Sequence, residues 1–499
     1  MKKKYWIPFY IGFVFLCTVL SPVVYFTELS FLYNEKRIIV TLVLLFTGWS
    51  IVFFSQEKIK RVISYFSSTF WAGFLLVLSL SIISGTLSSF PFYSIVEICL
   101  FILLFWVALL AAYVTDNYIF GKYAIIISAC FFVLFYELKF GLGYTFHLLE
   151  FKNFPLWPAS GLKTGTIGFA NIRFFNQVQI FTLPLLLGGS LLAIQSKKNV
   201  GYFLLALSAF WWMLLIGSAG RGIILSALTA ALVTLYLFKE YTHRWIWYFI
   251  GTLVVGYIAK FLLFDIIPPD SGFSKSLVRG GSPRITLYPQ TFLASLNSPI
   301  FGHGPMSFAN INSDFFRGHP HNSILQLLYE FGYPITIAIL GGAFYGLKKW
   351  IEQTNERIDA IKDKFNKEVI LRISLTVAIF GGLLYSLFSG VIVMPLSQLW
   401  LALVSGTMLG LYVKYSSKEE YLSPIKPYKI IVFKLILLLA SITLASVLIK
   451  DVPHLRENEK RYLEQTDRNI LRPRFWQQGK IGFDEKQNSE ERSNIESNL

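Results

Sequence analysis

The chain has 499 residues, 54% of them hydrophobic, 17% aromatic and only 15% charged, with a formal net charge of +16. Soluble domains carry about a quarter charged residues, so this composition excludes an ordinary soluble globular protein and points to a polytopic membrane protein. In such a chain a basic excess reports first on orientation, so the positive charge is no argument for a nucleic-acid partner.

The start, "MKKKYWIPFYIGFVFLCTVL", imitates a signal peptide. Its apolar run continues to about Tyr25 without an A-x-A cleavage site, which makes it an uncleaved first span. Further runs of about twenty mostly apolar residues follow at 38–54, 70–88, 94–114, 120–138, 174–195, 201–217, 222–238, 245–265, 322–347, 370–392, 396–414 and 429–449. With a first span at 6–26 the expectation is an all-α polytopic integral membrane protein of about 13 transmembrane helices. Cys17, Cys99 and Cys130 all fall in apolar runs, with no CxxC pair and no disulfide framework. No internal repeat is visible, so a transporter built on inverted repeats gains no support.

Lys and Arg collect in alternate connections: "SQEKIKR" (55–61), "QSKKN" (195–199), "KEYTHR" (239–244), 348–372 and 414–429. The connections at 88–94 and 393–397 carry neither residue. The positive-inside rule therefore puts the basic set in the cytoplasm and two long segments, about 139–173 and 266–321, outside. The domain plan is one membrane domain over 1–449, whose outer loop of about 266–321 is partly helical. A polar tail over 450–499, also outside, is partly disordered by composition.

Candidate site residues concentrate in that loop. "SPRITLYPQTFLASL" reads as an amphipathic helix with Ser282 as N-cap, Pro283 at its first position and Arg284 in its first turn. A helix N-terminus already favours an anion, so an Arg there fits either a bound phosphate or a pairing with Asp270 or Asp314. Arg221 lies in a tight outer connection, "GSAGRGIILSAL", where it can snorkel to lipid headgroups or meet a ligand.

The loop ends in "GHPHNSILQLLYEFGYP" (318–334). Pro320 keeps His319 extended, and Asn322 is a natural N-cap for the apolar segment that follows. An imidazole just outside a bilayer titrates near neutrality and can take a proton from a hydroxyl, although a His-x-His pair can instead share a metal ion. Glu330, eight residues below Asn322, either serves function inside the membrane or locks helix packing. Glu97 and Lys260 are less informative. Trp157, Tyr288 and Phe316 suit stacking on sugar faces, or plain core packing.

"HPHNSILQLLYEFGYP" resembles the motif of the O-antigen ligase superfamily, H-x-H-N followed by L-Q-x-L-x-E-x-G. "SPRITLYPQTFLASLNSPIFGHGPMSF" is similar to that family's helix with an early Arg and a following glycine turn. "GSAGRGIILSAL" resembles its S-x-S-R-G element, with Ala219 in place of the second serine, and "GFANIRFFNQVQIFTLPLL" resembles the segment opening its central region. The likeness spans about 165 to 410. It implies an inner-membrane glycosyltransferase, metal-independent and inverting, that moves a glycan from undecaprenyl diphosphate to an acceptor hydroxyl on the periplasmic face.

The acceptor is then lipid A-core, a pilin or other protein, or, for a polymerase, a growing glycan. The resemblance assigns catalysis to His321 with His319, and diphosphate binding to Arg284 and Arg221. Glu330 joins the candidate catalytic set, Arg279 the diphosphate set, and Asn322 and Arg317 are candidate glycan contacts. No cofactor and no metal are expected, because fixed guanidiniums can neutralise the leaving diphosphate. A flippase or transporter of lipid-linked glycan, the rival from another class, calls for basic residues along a central cavity; the charges here gather at the outer surface.

Overall fold

The computed structural model describes residues 32–118, 120–149, 169–266, 284–310, 318–416, 427–466 and 473–477. Among them there is no strand; every regular element is helical. We number the α-helices α1 (Leu32–Ser50), α2 (Gln56–Ile63), α3 (Ser68–Thr86), α4 (Pro91–Asn117), α5 (Ala124–Leu149), α6 (Ile172–Ser196), α7 (Lys198–Gly217) and α8 (Arg221–Phe238). They continue with α9 (His243–Lys260), α10 (Arg284–Ser295), α11 (Ser323–Phe331), α12 (Tyr333–Ile361), α13 (Lys367–Tyr385), α14 (Pro395–Tyr415), α15 (Pro427–Asp451) and α16 (Leu455–Thr466).

Eleven of the described helical segments are long and apolar enough to cross a membrane, so the chain is an all-α polytopic membrane protein. The expected first span at 6–26 lies outside the described residues. The expected span at 322–347 is not one helix. Gly332, at φ +80°, ends α11, and Pro334 opens the first turn of α12. Glycine tolerates that backbone while proline suits a helix start, so the chain breaks inside an unbroken apolar run.

Burial separates a centre from a rim. In the apolar stretches of α4, α6, α13 and α14 between 72 and 83% of residues are enclosed by protein, against 17% in α3. Helix α4 packs most extensively on α14, and α6 on α7 and α13. A helix apolar all round and buried belongs to the core; α3 is as apolar but exposed, as a lipid-facing helix should be.

The helix ends sort into two groups. At one end the connections after α6, α8 and α12 meet: Lys364 pairs with Glu240 at 2.5 Å, and Arg244 sits 4.9 Å over the ring of Phe365. This end is basic, with Lys197, Lys198, Lys239, Arg357 and Lys367 among its residues. At the other end the first turns of α1, α6, α8, α11 and α14 surround the turn 386–394, which follows α13. Of the residues singled out in the loop before α11, the described ones, Arg284, Tyr288, His319 and His321, are at this second end.

Candidate functional site

The site is organised by backbone carbonyls of the turn that follows helix α13. The last carbonyls of any helix lack intrahelical donors, and buried ones must find partners elsewhere. Here three successive carbonyls are taken by three different donors. Ser323 N–H donates to Ser386 O at 2.9 Å, the Tyr288 hydroxyl to Leu387 O at 2.9 Å, and Arg284 Nη2 to Phe388 O at 2.8 Å. The starts of α10 and α11 are thereby fastened to the same turn.

Arg284 lies in the first turn of α10, as the sequence pattern expected; Ser282 and Pro283 lie outside the described residues. So do Asp270 and Asp314, and so do the candidates Arg279 and Arg317. Tyr288, one turn after Arg284, also donates to His321 O at 3.2 Å. Burial raises its phenol above the ordinary value, opposed by the charge of Arg284, so it keeps the proton it donates. Its hydroxyl is engaged by backbone.

Asn322 caps α11, accepting from Ile324 N at 3.0 Å and Leu325 N at 3.1 Å. His321, immediately before, has φ +59°, a left-handed conformation that costs a branched backbone roughly 1–3 kcal/mol and persists only where neighbours impose it. The neighbours are visible. Tyr288 holds the His321 carbonyl, and His321 N–H donates to His319 Nδ1 at 3.2 Å. The two rings lie 4.2 Å apart, centre to centre, at 69°.

With Nδ1 an acceptor, a neutral His319 carries its proton on Nε2. His319 is 5% exposed and its ring lies flat against Gly390, where an added Cβ would come within 2.5 Å of Cε1. His321 is half-buried. The pair is therefore unequal: one ring is enclosed, the other reachable.

Arg221 begins α8 and is exposed. The preceding Ala219, the position that departs from serine, has φ +51°. Gly222 abuts the same turn, with the Phe388 Cβ 3.3 Å from where its own Cβ would be. Helix α6 arrives from the other side. Gln177 Nε2 donates to Ser389 Oγ at 2.7 Å, and Asn171 caps the helix by accepting from Arg173 N at 2.8 Å.

Arg173 was missed in the sequence, although its segment was singled out. The signal was available: Arg173, Arg221 and Arg284 each occupy the first turn of a helix at the same end of the bundle. A helix N-terminus disfavours a cation, and three of them together describe an anion-seeking rim.

Glu330 belongs to a different place. Eight residues below Asn322, it lies about 12 Å along the helix from the histidine turn. It is wholly buried, and its Oε2 receives Arg474 Nη2 at 2.6 Å and Gln326 Nε2 at 3.2 Å. The same Arg474 nitrogen reaches Glu97 Oε1 at 3.0 Å. Of the alternatives open in the sequence, this geometry is that of a packing lock. Lys260, also noted there, pairs with Asp265 at 2.6 Å.

The glycine turn between α10 and α11 closes on the same point. His303 N–H donates to Tyr329 O at 2.8 Å and Gly304 N–H to Glu330 O at 2.9 Å. Among the described residues no group of three or more His, Cys, Asp or Glu gathers to hold a metal ion.

Residues 203–340 match the family model described as O-antigen ligase. No curated protein matches the chain. The match supports the O-antigen ligase superfamily, and with it an enzyme of glycan transfer that uses lipid-linked glycan and an acceptor. The matched stretch carries Arg221, Arg284, both histidines, Asn322 and Glu330. It stops short of the turn 386–394 and of Arg474.

Proposed function

We propose that this protein transfers a glycan from undecaprenyl diphosphate to an acceptor hydroxyl at the periplasmic face of the bacterial inner membrane, by an inverting reaction that needs no metal. The observation that carries the reading is the joint fastening of Arg284 and the histidine turn to the carbonyls of 386–388. It keeps an anion-binding group and a proton acceptor in fixed relation, as a single displacement requires.

In that reaction a ring nitrogen of His321 takes the acceptor's proton as its oxygen attacks the anomeric carbon. The bond from that carbon to the diphosphate oxygen breaks, and the electron pair leaves with undecaprenyl diphosphate. Arg284 and Arg221, joined by Arg173 and Arg279, neutralise the growing charge. His319, enclosed against Gly390, orients His321 through the His321 N–H. Asn322 sets the helix end, and Arg317 is the further candidate for contact with the glycan. Glu330 acts from below, as support.

Orientation follows from the basic end opposite the site, which the positive-inside rule assigns to the cytoplasm. In a background lacking Cys17, Cys99 and Cys130, a membrane-impermeant thiol reagent on whole spheroplasts should label Asn310→Cys and spare Ala360→Cys. The reverse pattern removes the periplasmic site.

The central test is transfer by purified protein from an undecaprenyl-diphosphate-linked oligosaccharide in excess EDTA, with lipid A-core and pilin offered as separate acceptors. Transfer is expected, and the acceptor that is used separates a ligase from a protein oligosaccharyltransferase. Elongation of the donor glycan alone assigns a polymerase. Activity lost to EDTA and restored by one divalent ion returns His319 and His321 to the role of metal ligands. Movement of the donor across vesicles without transfer favours a flippase.

A further inference from the structure

The buried lock on Glu330 is built by a segment far outside the stretch 203–340 that matches the family model. Arg474 lies 144 residues beyond Glu330, in the polar tail, and is 1% exposed. Its neighbours Phe475 and Trp476 are buried as well. The segment folds on itself, Arg474 N–H donating to Trp476 O at 3.0 Å, and makes one connection after another to the outer end of the bundle. Tyr33 donates to Arg474 O at 2.5 Å, Arg37 Nε to Phe475 O at 3.1 Å, Trp476 Nε1 to Asp451 Oδ2 at 2.7 Å, and Gln477 N to Asn34 Oδ1 at 2.7 Å.

Two of these connections lead to the two halves of the candidate site. Through Glu330, Arg474 holds α11, which starts directly after the turn that carries His319 and His321. Through Arg37, the segment is joined to the turn that packs on His319: Arg37 Nη2 donates to Val393 O at 2.5 Å and Nη1 to Gln398 Oε1 at 2.9 Å. Burying a guanidinium with two carboxylates contributes little to stability compared with apolar packing, but it admits one geometry only. A device of that kind between a chain terminus and a site helix is suited to setting position.

We propose that residues 473–477 form a strap that positions the histidine turn, with Arg474 as its positioning residue, and that transfer depends on it although no strap atom touches substrate. The consequence for transfer rests on the function proposed above; the positioning itself does not. Both are read on purified full-length protein, by amide hydrogen exchange and by binding of undecaprenyl diphosphate alongside turnover.

In Arg474→Met, exchange should quicken at 321–325 and stay as in the native protein at 361–372, at the far end of the bundle. Binding of undecaprenyl diphosphate should hold, while turnover falls about tenfold to a hundredfold, the cost of a misplacement near 1 Å. Arg474→Lys should restore most of the protection. Should Arg474→Met fail to accumulate, the same measurements apply to Arg474→Met combined with Glu97→Gln and Glu330→Gln, which leaves no buried charge unpaired. Native exchange at 321–325 in either protein, or equal acceleration at both ends, overturns the strap. If protection is lost locally but native protein transfers no glycan, the strap stands and the proposed function fails.

Discussion

Helix α11 joins two polar clusters of opposite character. Just before its first turn, His321 is half-buried, and the groups around it spend hydrogen bonds on backbone carbonyls and on each other. At its last turn, Glu330 and Arg474 are fully enclosed and meet charge to charge, with Glu97 as third member. The same nine residues thus end in an accessible cluster and in a closed one. A site needs groups that a substrate can reach; a support needs groups that are enclosed. Four substitutions can break or sharpen this contrast.

The largest effect belongs to His321→Ala. A general base contributes about 10²–10⁴-fold, so transfer should fall by that factor while undecaprenyl diphosphate still binds. A folded variant turning over at native rate would falsify the assignment, and His319 would be next to examine.

Glu330→Ala comes second and acts on stability. Removing one member of a buried ion cluster costs up to about 3–5 kcal/mol, since among the described residues Arg474 then keeps Glu97 alone as an ion-pair partner. Thermal unfolding in detergent should shift accordingly. A Glu330→Ala protein with native melting and no turnover would make the closed end a chemical one and dissolve the contrast.

Arg284→Ala follows, because a hydrogen bond to a charged group is worth about 1.5–3 kcal/mol, roughly ten- to a hundredfold. Both donor binding and turnover should decline, since the diphosphate is held before the transition state and more tightly within it. Arg284→Lys should recover part of the loss, a point charge lacking the planar fork. Decline of turnover alone would confine Arg284 to holding Phe388 O.

Asn322→Ala should be the mildest, about 0.5–2 kcal/mol for a lost N-cap, read as lower melting with donor binding kept. Loss of acceptor use at unchanged melting would instead mark Asn322 as a substrate contact.

The helices themselves were legible because a membrane span must be long and apolar, and that requirement is written residue by residue. Eleven expected runs recur as helices of sufficient length and apolarity. The division at Gly332 was also written, as a Gly two residues before a Pro, but inside continuous hydropathy that a span reading passes over. The Asn322 cap and the early Arg284 are local patterns, governed by neighbours a few residues away, and the structure keeps both of them.

What sequence alone determined, then, is whatever depends on solvent and near neighbours: membrane spans, helix ends, the basic asymmetry between two ends, and the chemistry of the residues in the loop. Only the tertiary structure decided which of those residues meet. The pairing of Arg284 with Phe388 O joins positions 104 apart, and Arg474 reaches Glu330 and Glu97 across 144 and 377. No local pattern encodes such partners. They exist because a buried carbonyl or carboxylate has to be satisfied by whatever the packed helices bring beside it. For Glu330 that partner came from the tail.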